Sequence, residues 1–273
     1  MTIFQSMLLG LVQGLTEFLP ISSSGHLVIV PYLLGWDIPA QDAFIFNVLV
    51  QVATLVAVIA YFWKELLEII RGLYFGVISK APLTDPHSRL GIFIVVATIP
   101  AGLIGILIKD IIEQAFDSPV LTAILLFGTA GLLIIAEKVG ARNRKIDQMS
   151  WLDALVMGSF QALAVFPGIS RSGSTITGGM LRNFEREGAA RFSFLMSIPI
   201  MLAAGLLAFL DLLSIPDWTQ SILVFIPGFI VAAVTGYLSI RWLLKFLMKG
   251  SLYIFAIYCV FAGLITIIIS TLR

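Results

Sequence analysis

Gln13-Gly-Leu-Thr-Glu-Phe-Leu-Pro-Ile-Ser-Ser-Ser-Gly-His26 sets a carboxylate, a carboxamide, three serine hydroxyls and an imidazole inside a chain that is otherwise almost unbroken hydrocarbon. Hydrophobic residues make up 59% of the 273 residues and charged ones only 12%. A soluble globular domain carries about 25% charged residues, so that class is excluded. The apolar runs are long and continuous, without the alternation of a barrel strand, and lipid admits only helices or closed barrels. The fold class expected is an all-α polytopic membrane protein. In such a protein a polar cluster is costly to bury and calls for a functional explanation.

A full span needs about 20 apolar residues. Six segments qualify, near 41–63, 90–109, 119–139, 189–212, 220–244 and 252–272. Residues 3–19 stop at Pro20 and the serines, and 25–35 are too short before Gly35-Trp-Asp-Ile-Pro39. This pair reads as a re-entrant helical hairpin, whose irregular tip is tolerated only where it is buried in protein or lines a cavity. Residues 151–166 and 172–182 have the same shape, with Pro167-Gly168 at the bend.

The likeness of the two hairpins extends to their residues. A shift of 148 positions lays Gly10, Gln13, Leu15, Phe18, Ile21, Ser22, Ser24 and Gly25 on Gly158, Gln161, Leu163, Phe166, Ile169, Ser170, Ser172 and Gly173. Phe44 and Phe46 continue the register onto Phe192 and Phe194. Matches that include Gln, Ser and Gly in series exceed what apolar helices share by chance. The chain is thus read as one integral membrane domain, 1–273, made of two repeats, about 1–140 and 150–273. Each holds one hairpin and three spans. Three is odd, so the second repeat enters the membrane from the opposite side, giving inverted topology as in many transporters.

The basic residues agree. Fourteen of the 17 Lys and Arg residues, from Lys64 and Arg71 through Lys138, Arg142 and Arg182 to Arg241 and Lys249, fall on one side of this topology. The positive-inside rule makes that side cytoplasmic. Only Lys109 and Arg273 lie on the other side, with Arg171 at the second tip. Both termini, the first hairpin and the loops near 110–118 and 213–219 are then expected outside. A net charge of +1 and the lack of a basic, aromatic-interleaved run argue against a nucleic-acid partner. Met1-Thr-Ile-Phe-Gln5 lacks a basic n-region and reads as mature sequence. Cys259, the single cysteine, reads as a small buried hydrophobe.

Gln13 and Glu17, four residues apart, share a helix face. Carboxylate and carboxamide oxygens suit a hard divalent cation, Mg²⁺ or Ca²⁺, with further ligands from phosphate and water. The alternative is a protonated Glu17 packed on Gln13 as a bond between helices. Ser22, Ser23, Ser24 and Gly25 open a helix after a proline, and free N–H groups at a helix start attract anions. His26 is placed to act as a general base or nucleophile, whereas His87, in Thr84-Asp-Pro-His-Ser88, reads as structural. At the second tip, Gly168, Ser170, Ser172, Gly173 and Thr175 repeat the geometry with Arg171 in the place of Ser23. Arginine offers a planar fork for phosphate oxygens, or a counter-ion for Glu17. The ligand expected is an anion, a phosphate.

Gln13-xxx-Glu17 leading to Ser22-Ser-Ser-Gly-His26, together with Pro167-Gly-Ile-Ser-Arg-Ser-Gly-Ser-Thr175, resembles the two signatures of bacterial undecaprenyl-diphosphate phosphatases of the bacitracin-resistance type. The resemblance covers nearly the whole chain. It implies hydrolysis of undecaprenyl diphosphate to the monophosphate carrier of cell-wall precursors, outside the bacterial cytoplasmic membrane and with a divalent cation. By motif match it makes Glu17, Ser23, His26 and Arg171 the essential residues. Gln13 stands where many members carry glutamate, and Ser24 where others carry threonine. The attacking group is left as Ser23 or water, either activated by His26, with Glu17 holding the cation. A homodimer is compatible with this reading and not required by it. The rival readings are a transporter or flippase for a polyprenyl phosphate or other anion, since inverted repeats are a transporter feature, a lipid phosphatase of the acid-phosphatase type, which would need a second histidine, and a rhomboid-like protease, which would leave Glu17 and Arg171 idle.

Overall fold

The computed structural model describes residues 1–108, 118–213, 218 and 222–272. Their α-helices are α1 (Ile3–Phe18), α2 (Ser23–Leu34), α3 (Ala40–Ile78), α4 (Pro86–Leu107), α5 (Pro119–Val139), α6 (Trp151–Leu163), α7 (Arg171–Leu181), α8 (Arg186–Leu213), α9 (Ile222–Leu247) and α10 (Tyr253–Leu272). No strand occurs among the described residues. Six of these helices, α3, α4, α5, α8, α9 and α10, are long and apolar enough to cross a membrane, so the chain is a multi-pass membrane protein. Large aliphatic side chains stand exposed along them, among them Ile106, Leu107 and Leu223. In water such a surface would be a liability; against lipid it is the expected exterior. By contrast, the 12 residues of α2 and the 11 of α7 extend under about 20 Å at about 1.5 Å per residue, against a hydrocarbon core of about 30 Å.

The six long helices match the six apolar runs, with one difference. α3 continues to Ile78 rather than ending near residue 63. Lys64, Glu65, Glu68 and Arg71 end the apolar stretch but are good helix formers, so the helix passes from apolar to polar surroundings without breaking. Its added turns pack on the start of α4: a Cβ on Gly72 would lie 2.6 Å from the Asp85 carboxylate that caps α4. Of the loops expected outside, residues 109–117, 214–217 and 219–221 lie outside the described residues, as does Arg273.

Helix starts recur at the 148-residue offset. Thr2 and Gln5 form a capping box on α1, and Ser150 and Asp153 form one on α6. Ser22 caps α2 by accepting from the Gly25 N–H, and Ser170 caps α7 by accepting from the Gly173 N–H. Packing follows the same rule. α1 lies along α9 and α6 along α4. Each contact is closed by a glycine: a Cβ on Gly10 would sit 2.2 Å from the Gly228 carbonyl oxygen, and one on Gly158 would sit 2.2 Å from that of Ala97. Small residues at these points let helix backbones touch, which is how helices gain packing energy in lipid. α5 packs on α10 and α3 on α8, which encloses the tips of both short-helix pairs. Phe18, Phe62 and Phe194 form an aromatic cluster beneath the first tip, with Phe18 and Phe194 edge to face at 5.3 Å.

Ion pairs draw the basic loops together at one end. Asp153, fully buried, is held by Arg144 at 2.8 Å and Arg182 at 2.6 Å. Glu137 accepts from Arg142, from Arg186 and from the Leu252 N–H. Arg191 pairs with Glu65 at 2.9 Å. Burial opposes ionisation of Asp153, but hydrogen bonds from Arg144, Arg182 and Ser150 outweigh it and hold the carboxyl well below the usual carboxylate range. At the other end the N-terminal ammonium pairs with Asp42 at 2.7 Å. His87 sits 3.8 Å from Glu68, half exposed at the start of α4. Cys259 is a free, fully buried thiol.

Candidate active site

Pro20 cannot continue α1, because proline lacks the N–H that the next turn needs. The chain turns through Leu19–Ile21, and Ser22 takes a left-handed backbone (φ 70°) before α2 begins. A serine at positive φ is strained, and strain of this kind collects at functional sites. The second tip turns at Gly168 (φ 100°), pressed so close to the Thr122 carbonyl that a Cβ would lie 2.4 Å from it. Only glycine fits there.

The tips interlock. The Gly168 N–H donates to Ser22 Oγ at 3.1 Å, and Ser172 Oγ donates to the Leu19 carbonyl at 3.1 Å. Thr129 of α5 braces the second tip, donating to the Gly168 carbonyl at 2.7 Å and accepting from the Ser170 N–H at 2.9 Å. Two helix N-termini, those of α2 and α7, thereby converge on one place. Their unpaired N–H groups and macrodipoles both favour an anion between them.

Glu17, in the last turn of α1, joins the two tips chemically. Its Oε1 accepts from Arg171 Nη2 at 2.6 Å. Its Oε2 accepts from Gln13 Nε2 at 2.9 Å and also from Ser23 Oγ. Arg171 spends one donor on this pair, and its other guanidinium donors bond no described residue. Glu17, Ser23, Ser24 and Arg171 are only partly buried, so a ligand can reach them.

The other predicted residues are placed differently. Ser22 and Ser170 are consumed by capping and by the link between tips. Gly25 and Gly173 supply the capping N–H groups, and Ser172 holds Leu19. Thr175 is fully buried and bonds the Arg171 carbonyl and Ser193 Oγ, which fixes the first turn of α7. Ser24 Oγ lies 3.4 Å from Ser22 Oγ. His26 is turned away from Ser23. Its Nδ1 meets the Ser22 carbonyl at 2.7 Å, and its Nε2 meets the Tyr258 hydroxyl at 2.8 Å, with the two rings stacked. The imidazole thus pins the strained Ser22 from behind.

Tyr258, Thr129 and Thr54, which lies 3.5 Å from Gln13 Nε2, were not singled out from the sequence. Each is one polar side chain in an apolar run, and its partner lies tens to hundreds of residues away. A polar residue at mid-span was the available signal.

Gln13 Oε1 is buried and has no hydrogen-bond partner. No cluster of three His, Cys, Asp or Glu residues able to hold a metal occurs among the described residues. An orphaned carboxamide oxygen beside a single carboxylate nonetheless fits a hard divalent cation that takes its other ligands from phosphate and water.

Similar proteins match this chain over nearly its whole length. Undecaprenyl-diphosphatase of Thermomicrobium roseum is 42% identical over 276 residues, covering 98% of both chains. Undecaprenyl-diphosphatase of Methanosphaera stadtmanae is 43% identical over 277 residues, again 98% of each. That of Rubrobacter xylanophilus is 43% identical over 258 residues and 94% of each. The family model described as bacitracin resistance protein BacA matches residues 6–265. With its serine capped tip, its Glu17–Arg171 bridge and full-length relatives of this kind, the chain belongs to the BacA family.

Proposed function

We propose that this protein is an undecaprenyl-diphosphatase, releasing inorganic phosphate from undecaprenyl diphosphate and returning the monophosphate carrier to cell-wall synthesis. The observation that carries the reading is the bridge at Glu17: one carboxylate oxygen takes the Ser23 hydroxyl and the other takes Arg171 from the opposite tip. Carriage of a phosphate across the membrane would use Arg171 and the helix termini but would give a Ser–Glu pair no task.

Glu17 is the base in this scheme. As Ser23 Oγ attacks the terminal phosphorus, its proton passes to Glu17. The bond from that phosphorus to the bridging oxygen breaks, and undecaprenyl phosphate leaves. Glu17 hands that proton to the departing undecaprenyl phosphate, then takes one from the water that attacks the phosphoserine and returns it to Ser23 Oγ as the Oγ–P bond breaks, and inorganic phosphate departs. Arg171 and the N–H groups at the starts of α2 and α7 meet the charge on the equatorial oxygens, which is most of what phosphoryl transfer requires. His26 and Tyr258 are positioning residues that hold Ser22, and so Ser23, in place. A divalent cation, held by Gln13 Oε1 and Glu17, would neutralise further charge on the diphosphate.

The architecture that suits this chemistry is an inverted repeat, about 1–140 and 150–273, with α1–α2 and α6–α7 as re-entrant hairpins. The reading is supported by the recurring caps, by the paired glycine contacts and by the short helices that end at a common tip. The bundle end that gathers the basic residues is cytoplasmic under the positive-inside rule. The site then opens to the outer face of a bacterial cytoplasmic membrane, with the isoprenoid tail in lipid.

The test is phosphate release from a polyprenyl diphosphate by purified protein, with and without chelator. Hydrolysis that stops on chelation and returns with Mg²⁺ or Ca²⁺ is expected. Hydrolysis indifferent to chelator would remove the cation from the scheme, and no hydrolysis would hand the site to transport.

A further inference from the structure

A separate polar space lies on the basic side of the aromatic cluster, with Phe62 in its lining. Where α3, α8 and α9 meet at the basic end of the bundle, they border an open cavity of about 690 Å³. That size suits a small ligand or head group. Four cations line it, Lys64, Arg191, Arg241 and Lys245, against two acids, Glu65 and Glu187. Arg191 is already paired with Glu65. Arg241 and Lys245 lie four residues apart, on one face of α9, and neither forms a salt bridge with a described acid. Topology explains why these residues lie at this end of the bundle. It does not explain why they surround a cavity.

The surroundings fix the level of the cavity. Trp63 and Trp242, both about half exposed, flank it on α3 and α9. Tryptophan at this exposure marks the membrane–water boundary. Tyr61 and Tyr237 face each other across the lining, ring centroids 5.4 Å apart, and add hydroxyl donors. Exposed Val234 and Leu238 continue down α9 toward the bilayer interior. A net positive cavity at the head-group level, with an apolar track below it, matches a phospholipid better than a soluble anion. Basic pockets between membrane helices on the cytoplasmic side hold anionic head groups in this manner.

We infer that this cavity binds the phosphodiester head group of an anionic phospholipid from the cytoplasmic leaflet, with its acyl chains along α9. The leaflet follows from the orientation proposed above; the binding itself does not depend on the phosphatase reading. In native mass spectrometry of the full-length protein, phosphatidylglycerol should form a retained one-lipid adduct that phosphatidylcholine does not. The variant Arg241→Gln/Lys245→Gln should weaken that adduct about thirtyfold, from about 1 kcal/mol per cation at a tenfold change per 1.4 kcal/mol. Arg71→Gln/Lys80→Gln, an equal charge loss at the same end but outside the cavity, should leave it intact. Phosphate release in detergent should stay at the wild-type level in both variants, which checks their fold; if the cavity variant fails that check, Lys64→Gln/Lys245→Gln, with its two changes on different helices, replaces it. Equal weakening in both variants, equal retention of phosphatidylcholine, or full displacement by equimolar inorganic phosphate would overturn the inference.

Discussion

Compare the two tips position by position. Ser22 and Ser170 cap their helices in the same way, Gly25 and Gly173 donate to those caps, and Gly10 and Gly158 close the same kind of helix contact. At other positions the likeness ends. Glu17 faces Val165 under the 148-residue shift, Ser23 faces Arg171, and His26 faces Ser174. The capping serines and the glycines at the caps and helix contacts share a residue type, while Glu17, Ser23 and Arg171 have no like residue at the matching position. The first tip contributes a carboxylate and a hydroxyl, and the second a guanidinium. The difference has left a trace. Gln13 has Glu17 for a partner, but Gln161, whose neighbour one turn on is Val165, is buried with both amide atoms unpaired, and Ser174 Oγ is likewise unpaired.

Removing the divided chemistry should have the largest effect. Ser23→Ala and Arg171→Ala should each lower phosphate release by about 10³-fold or more, since supplied arginines in phosphoryl transfer are worth about that. The protein should still insert and unfold at a near-normal temperature. Retention of wild-type turnover by either variant would break the shared site.

The starts of the two short helix pairs, α1–α2 and α6–α7, are anchored differently. The second starts at buried Asp153, clamped by Arg144 and Arg182, and the first at a capping box with neutral Gln5. Asp153→Asn should therefore cost about 2 kcal/mol of stability at neutral pH, the scale of hydrogen bonds to a charged group. Because the folded carboxyl titrates below its unfolded value of about 3.9, its stabilisation is complete above that value and is lost as pH falls through the folded one. Thermal melts in detergent should show wild type and variant converging below about pH 4. A gap that persists into acid would mean packing rather than charge.

Gln161 and Gln13 sharpen the comparison further. An unpaired buried amide is costly, so Gln161→Met should raise stability by about 1 kcal/mol and leave hydrolysis unchanged. Gln13→Met should instead reduce hydrolysis, because it removes the donor to Glu17 and the free Oε1. If Gln161→Met lost activity, the second half would hold more chemistry than Arg171. The smallest effect is expected behind the first tip. Tyr258→Phe deletes one hydrogen bond to His26, worth about 1 kcal/mol, and should slow kcat about fivefold with KM unmoved. A change confined to KM would make Tyr258 a substrate contact.

Much of this was legible in the sequence, for physical reasons. Runs of apolar residues long enough to cross lipid have no other stable structure, so all six long helices could be read. Caps are local, so Ser22 and Ser170 could be read too. The Gln13–Glu17 contact follows from four-residue helical spacing and is present at 2.9 Å. What spans a break or crosses the bundle was not legible. Ser23 reaches Glu17 across the tip, where no periodicity applies. His26 turns to Ser22 and to Tyr258, 232 residues on, rather than to the hydroxyl beside it. The length of α3 was missed because charge ends an apolar run without ending a helix.

The central claim is that Glu17 and Arg171 act as one unit built from two tips. The most direct measurement is a double-mutant cycle on phosphate release with the mild variants Glu17→Gln, Arg171→Lys and both together. Residues that act as a unit are strongly non-additive. The double variant should therefore be little slower than the slower single one. Losses that multiply would mean two independent contributions, and the bridge between the tips would have no part in the reaction.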